Sequence, residues 1–149
     1  MNWNSDKSIS LSQVCVVLFS VLLLTVDIGV WSFTELYERM GFISAAQSTA
    51  IKVTVYLGSV PAWTVLWKLW RLLLNIKAGE VFTAANVSML RTVSWCCVMA
   101  AAVCFFGGLY DLAFLVIAGA AGFMALIVRI VKNVFQQALL MKDELDFTV

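Results

Sequence analysis

The 149-residue sequence contains no histidine and only one proline. Histidine is the usual general base, the commonest metal ligand and the usual pH switch near neutrality, so its absence removes three kinds of chemistry at once. The sequence also has no Walker motif, no glycine-rich dinucleotide loop and no zinc motif. We therefore expect a protein that is not an enzyme, with no catalytic residues, no bound metal and no cofactor.

Charged residues are scarce as well, at 13% of the chain with a net charge of +1. The basic residues form no stripe of the kind that follows phosphates, so we expect no direct nucleic-acid binding. In contrast, 62% of the residues are hydrophobic, and the mean hydropathy is +0.95. In an ordinary soluble domain about half of the residues are apolar. The composition therefore indicates a membrane protein, and we expect it to interact with the lipid bilayer.

The cysteines all fall within apolar runs, where a cysteine behaves as a small hydrophobic residue. A membrane thiol oxidoreductase of the quinone-linked kind would need Cys-x-x-Cys pairs at the outer surface. Two of the cysteines are adjacent instead, near the cytoplasmic half of their run, so this pattern does not favour that reaction. The four are Cys15, Cys96, Cys97 and Cys104.

Four apolar runs are each long enough for the roughly 20 residues that a helix needs to cross a bilayer. The first run exceeds the roughly 7 to 15 residues of a signal-peptide core, which favours a retained signal-anchor helix. We predict an all-α, polytopic membrane protein that forms a single four-helix transmembrane domain over 1–149. The predicted spans are about 9–33, 51–74, 87–108 and 112–131, followed by a cytoplasmic helix and tail over 132–149.

Three local patterns add detail to these spans. Residues 32–50 place apolar and charged side chains on opposite sides at helical spacing, which predicts a separate amphipathic helix on the outer surface. Pro61 lies near the middle of the second run and predicts a kink. Small residues repeat along the third and fourth runs, which predicts a tightly packed antiparallel hairpin. They are Ala100, Cys104, Gly108, Ala118, Gly122 and Ala125.

The basic residues predict the orientation. If both termini lie in the cytoplasm, eight of the ten Lys and Arg residues are inside, and only Arg39 and Lys52 are outside. The positive-inside rule prefers this arrangement. We therefore expect a multi-pass protein whose two ends, and the polar turn over 77–91, lie in the cytoplasm.

The same polar turn carries a clear pattern for the start of a helix. Thr83 is a good N-cap, because its hydroxyl can accept from the free backbone N–H groups of the first turn. Phe82 occupies the first position of a hydrophobic staple, and Asn86 replaces the Glu or Gln of a full capping box. A helix is therefore predicted to start at about Ala84.

Asp27 lies near the far end of the first run. A carboxylate inside a membrane is costly and is by default a functional hypothesis, with Lys52 or Arg39 as its expected partner. The alternative is that Asp27 is hydrated at the outer interface, about one turn from the aromatic anchor Trp31. If Asp27 and the kinked second helix carry the function, the protein is a small transporter, channel or immunity-type protein.

The stretch GEVFTAANVSMLR, the small-residue hairpin and the ending VRIVKNVFQQALLMKDELDFTV resemble a known family. It is the bacterial membrane family catalogued as domain of unknown function 2975, and the resemblance covers nearly the whole chain. It implies a four-span protein of the bacterial cell membrane, often encoded beside a small helix-turn-helix repressor of the Cro type. The most specific positions are the last four residues and Gly79, Phe82, Asn86, Leu90 and Arg91.

Our leading interpretation is therefore a regulatory or sensory protein that holds a DNA-binding regulator at its cytoplasmic face. The polar turn and the helix after Lys132 would form one platform, with Arg91 close enough to the acidic tail to interact. The alternative is that the turn residues only end one helix and start the next, and assembly into a homo-oligomer stays open. The candidate docking residues are Gly79, Phe82, Asn86, Leu90, Arg91, Phe135 and Asp146.

Overall fold

The computed structural model describes residues 3–148, with side chains from residue 7 onward. This part of the chain forms four α-helices and no strand, which confirms the predicted all-α class. The helices are α1 (Trp3–Arg39), α2 (Ala45–Lys77), α3 (Ala84–Gly107) and α4 (Leu112–Thr148).

Glycines end α1 and α2 in the same way. Gly41 and Gly79 have φ of 77° and 85°, a backbone conformation that glycine adopts without the steric cost of a Cβ atom. The residue after each glycine donates its N–H to a carbonyl five positions earlier, Phe42 to Tyr37 and Glu80 to Asn75, both at 3.0 Å. These bonds satisfy carbonyls that the last helical turn leaves free.

The predicted amphipathic helix over 32–50 is not a separate element. Residues 32–39 are helical, as their spacing indicates, but they continue α1 without a break, because nothing before Gly41 ends the helix. A capping box then starts α2: Ser44 accepts from the Gln47 N–H at 3.3 Å, and the Ser44 N–H donates to the Gln47 side chain at 3.0 Å. Only five residues therefore separate two long helices, and α2 begins six residues before the predicted 51.

Each helix lies antiparallel to the next one in sequence and approaches only its sequence neighbours. Among the described residues, no Cα atom of α1 lies within 8 Å of α3 or α4, and none of α2 lies within 8 Å of α4. The helices thus form an open series rather than a closed bundle. In lipid this arrangement costs little, because the acyl chains are as apolar as the side chains they cover.

Small residues pack between α3 and α4, which confirms the predicted hairpin, although nothing lies within 4 Å of a Cβ at Gly122, so that glycine is not at a close contact. Cys104, Ala118 and Ala125 are buried, and the hydroxyl of Ser94 donates to the carbonyl of Ala125 across the interface at 3.2 Å. α3 also packs closely against α2 at Gly107, where an added Cβ would lie 2.5 Å from Cγ2 of Thr54.

Three helices of the described chain are long and apolar enough to cross a membrane, namely α1, α3 and α4. The predicted fourth span, α2, does not reach the same apolarity, because Lys52, Pro61, Lys68 and several hydroxyl side chains interrupt its hydrophobic residues. α4 has 37 residues, so it is about 56 Å long, whereas a bilayer core is about 30 Å thick. At least one end of α4 therefore projects beyond the membrane.

Candidate functional site

The turn between α2 and α3 brings the predicted helix start and several candidate docking residues together. Thr83 has the extended backbone of an N-cap, its hydroxyl accepts from the Asn86 N–H at 3.3 Å, and α3 begins at Ala84. The predicted cap and helix start are thus confirmed. The side chain of Asn86, however, does not return to the N-cap backbone as in a capping box.

Asn86 is instead the centre of a buried hydrogen-bond network. Its side-chain oxygen accepts from the Asn75 amide at 2.8 Å, and its amide nitrogen donates to the carbonyls of Glu80 at 2.7 Å and Val81 at 2.8 Å. One side chain therefore joins the end of α2, the loop and the start of α3. Because Asn86 has no exposed surface and Leu90 is only 5% exposed, these two candidates support the turn from inside.

Phe82 and Phe135 are the candidates that the structure brings into contact at the surface. Their ring centroids are 5.4 Å apart, and Phe82 is 41% exposed. The contact fixes the loop against α4, about one turn beyond Lys132. We call these two side chains the Phe82–Phe135 patch.

The end of α4 carries the remaining apolar surface of this region. Every described side chain from Leu140 to Thr148 is exposed, and Phe147 is 92% exposed. Leu140 still lines a cavity with the first turns of α3, whereas Leu145 is 67% exposed. We call residues 141–148 the α4 extension.

The predicted contact between Arg91 and the acidic tail is wrong. The first two turns of α3 face Gln136, Leu139 and Leu140. Because α4 continues as an unbroken helix, Asp146 lies beyond the N-terminal end of α3. Arg91 shares a cavity with two other cations, Arg129 and Lys132. Asp146 and Gly79 are both exposed and lie outside this cavity.

Asp27 is half-buried against α2, and its neighbours differ from the predicted ones. Its carboxylate accepts from the hydroxyl of Ser59 and, at 3.1 Å, from the indole N–H of Trp63. The hydroxyl of Tyr56 also donates to the backbone carbonyl of Asp27 at 3.1 Å. These three donors lie on one face of α2, so they link it to α1.

The two predicted basic partners of Asp27 have other contacts. The Lys52 ammonium lies 4.2 Å from the ring centroid of Trp31, and Arg39 forms an ion pair with Glu35 at 3.9 Å. Lys52 and Arg39 therefore both interact with residues of the last turns of α1, beyond Asp27. The sequence shows that Tyr56, Ser59 and Trp63 recur at helical spacing and so share one side of α2. It does not show that this side faces α1.

Metal-binding side chains do not gather in the part of the chain that the structure describes. No three His, Cys, Asp or Glu residues in it lie close enough together to hold an ion. The thiols of Cys96, Cys97 and Cys104 lie within α3, and all four cysteines are free.

Comparison with known proteins gives one match. Residues 12–149 match the family described as "Protein of unknown function (DUF2975)". No curated protein and no solved structure matches the chain.

Proposed function

The chain belongs to the DUF2975 family, and on that premise we propose that it is a non-enzymatic protein of the bacterial cell membrane that holds a cytoplasmic DNA-binding regulator. The apolar helices α1, α3 and α4 are those of a membrane protein. The observation that carries the proposal is the α4 extension, which continues as helix beyond the other elements and leaves large apolar side chains uncovered.

The proposal includes four spans, with both termini in the cytoplasm. α2 runs antiparallel between α1 and α3, and it contacts α1 at Asp27 and α3 at Gly107. α2 connects the C-terminal end of α1 to the N-terminal end of α3, and these two ends lie on opposite sides of the bilayer if α1 and α3 both cross it. α2 then has to cross as well. The excess of Lys and Arg residues on the side of the polar turn favours a cytoplasmic location for that side.

The proposed docking surface consists of the Phe82–Phe135 patch and the α4 extension. On the cytoplasmic side of the membrane these side chains meet water, where exposed apolar surface is costly and typical of an interaction site. Met141 and Leu145 are four residues apart and share one face of this helix, whereas Phe147 lies on another side. A partner groove that encloses the helix would contact all three. Phe147 and Leu145, which are the farthest from the membrane, are expected to contribute most.

The charges of the α4 extension indicate the class of partner. Lys142 is followed by Asp143, Glu144 and Asp146, all of them exposed. An acidic surface around apolar side chains favours a basic partner, and a helix-turn-helix regulator is basic because it neutralises DNA phosphates. Binding to the extension would then compete with binding to DNA.

Co-purification tests the proposal. The full-length protein in detergent is expected to retain the small helix-turn-helix regulator encoded by the adjacent gene, and the variant L145S/F147S is expected to lose it. The matched control F42S/L109S changes two apolar residues that are also well exposed, at the opposite end of the helices, and should retain the regulator. Failure of the unaltered protein to bind, or equal binding by L145S/F147S, would contradict the docking surface.

A further inference from the structure

Three cations surround one small cavity between α3 and α4. Arg91 on α3 and Arg129 and Lys132 on α4 line a space of about 150 Å³, together with Ser94, Trp95 and Val98. Arg129 and Lys132 are three residues apart, so they lie on the same face of α4, and the antiparallel packing places Arg91 opposite them. We call this space the three-cation cavity.

The structure provides no negative charge for this cavity. No side chain among its lining residues is acidic. Within residues 7–148, no carboxylate oxygen lies within 4.0 Å of a charged nitrogen of Arg91, Arg129 or Lys132. Like charges held near one another repel, and the exposure of Arg91 and Arg129 leaves them accessible to an anion. An anion that enters the cavity would therefore relieve repulsion and gain three favourable interactions.

The depth of the cavity indicates the kind of anion. Arg129 lies about 26 Å along α4 from Leu112, and Arg91 about 24 Å along α3 from Gly107. Because the apolar core of a bilayer is about 30 Å thick, all three cations lie near the boundary opposite the α3–α4 loop. Phospholipid phosphates occupy this depth. Trp95, which is 63% exposed, is the kind of residue that anchors a helix at the same level.

We propose that the three-cation cavity binds the phosphate of an anionic phospholipid. The lipid phosphate interacts with Arg91, Arg129 and Lys132, and an acyl chain follows the exposed apolar surface of α3 past Val98. Guanidinium groups suit this role because they can donate two hydrogen bonds to one phosphate. The inference rests on α3 and α4 crossing the bilayer and is independent of the regulator docked at the α4 extension.

Native mass spectrometry of the full-length protein in detergent tests the inference. The protein is titrated with phosphatidylglycerol, phosphatidylcholine or sodium phosphate, and bound molecules are counted. We expect preferential binding of phosphatidylglycerol. Each basic residue near an anionic lipid contributes about fivefold in affinity, so R91Q/R129Q/K132Q should weaken phosphatidylglycerol binding by roughly a hundredfold.

The control is K68Q/R71Q/K77Q, which removes the same charge from α2 and should retain most of the affinity. Equal binding of phosphatidylcholine, or an equal loss in the control, would show general attraction and overturn the proposal. Displacement of the lipid by equimolar sodium phosphate would identify a free-anion site and would also overturn it. If the triple variant does not fold, the single variant R129Q tests the site, and its affinity for phosphatidylglycerol is expected to fall about fivefold.

Discussion

Asn86 is the residue on which the turn between α2 and α3 depends. Its side chain satisfies two loop carbonyls and one amide without any contact with water. We expect Asn86→Ala to lower the free energy of unfolding by about 2 to 4 kcal/mol, because buried polar groups that lose their partner cost about 1 to 3 kcal/mol each. Chemical denaturation in mixed micelles measures this loss.

The control for this prediction is Asn133→Ala. Asn133 is an exposed amide on α4, so its removal should change the free energy of unfolding by less than about 0.5 kcal/mol. If Asn86→Ala behaved like the control, the network would not stabilise the turn.

Single residues also show where prediction from sequence ends. The Thr83 cap depends on neighbours within one turn, so its pattern is visible in the sequence. The partners of Asn86 include Asn75, which is 11 positions away on another helix, and only tertiary packing brings the two amides together. The partner of Asp27 was unpredictable for the same reason: opposite charge suggested Lys52 and Arg39, whereas helix packing placed neutral donors next to the carboxylate.

At the level of helices, Gly107 is a point where α3 packs closely against α2. A Cβ at this position would lie 2.5 Å from Cγ2 of Thr54 and 3.3 Å from the Phe114 ring. We expect Gly107→Ala to lower the free energy of unfolding by about 1 to 3 kcal/mol through overpacking. The double variant T54A/G107A should recover part of this loss, because it removes the Thr54 methyl and hydroxyl groups.

Gly119→Ala is the matched control, because nothing lies within 4 Å of a Cβ at that glycine of α4. Alanine there should be neutral or slightly stabilising, since it favours helix more than glycine does. Thermal unfolding in detergent ranks the variants. A stability loss that was equal at both glycines would reflect helix propensity or lipid contact rather than packing at Thr54.

Some helix boundaries can be predicted from the sequence and others cannot. The Ser44 to Gln47 spacing is a capping-box pattern that marks the start of α2, whereas the apolar run alone predicts a start at 51. The end of α1 at Arg39 was obscured because charged residues after Phe33 resemble a surface segment, yet glutamate and arginine are good helix formers. Hydrophobicity locates the membrane-crossing part of a helix better than it locates the helix ends.

At the scale of the whole molecule, the open series of helices makes the proposed docking surface depend on membrane topology. The loops over 40–44 and 108–111 lie at one end of the helices, and the turn over 78–83 lies at the other end with the α4 extension. No described contact between non-neighbouring helices would hold the molecule together if α2 failed to cross. The proposed docking surface is one unit only when the turn and the extension share a compartment.

Labelling with a membrane-impermeant maleimide tests this arrangement in intact spheroplasts. We expect Phe42→Cys and Tyr110→Cys to be labelled from outside and Glu80→Cys to be labelled only after lysis, since α2 carries the chain from one side to the other. The unaltered protein gives the background, because its cysteines lie within helices α1 and α3. Labelling of Glu80→Cys in intact spheroplasts would place the turn outside and exclude it from contact with a cytoplasmic regulator.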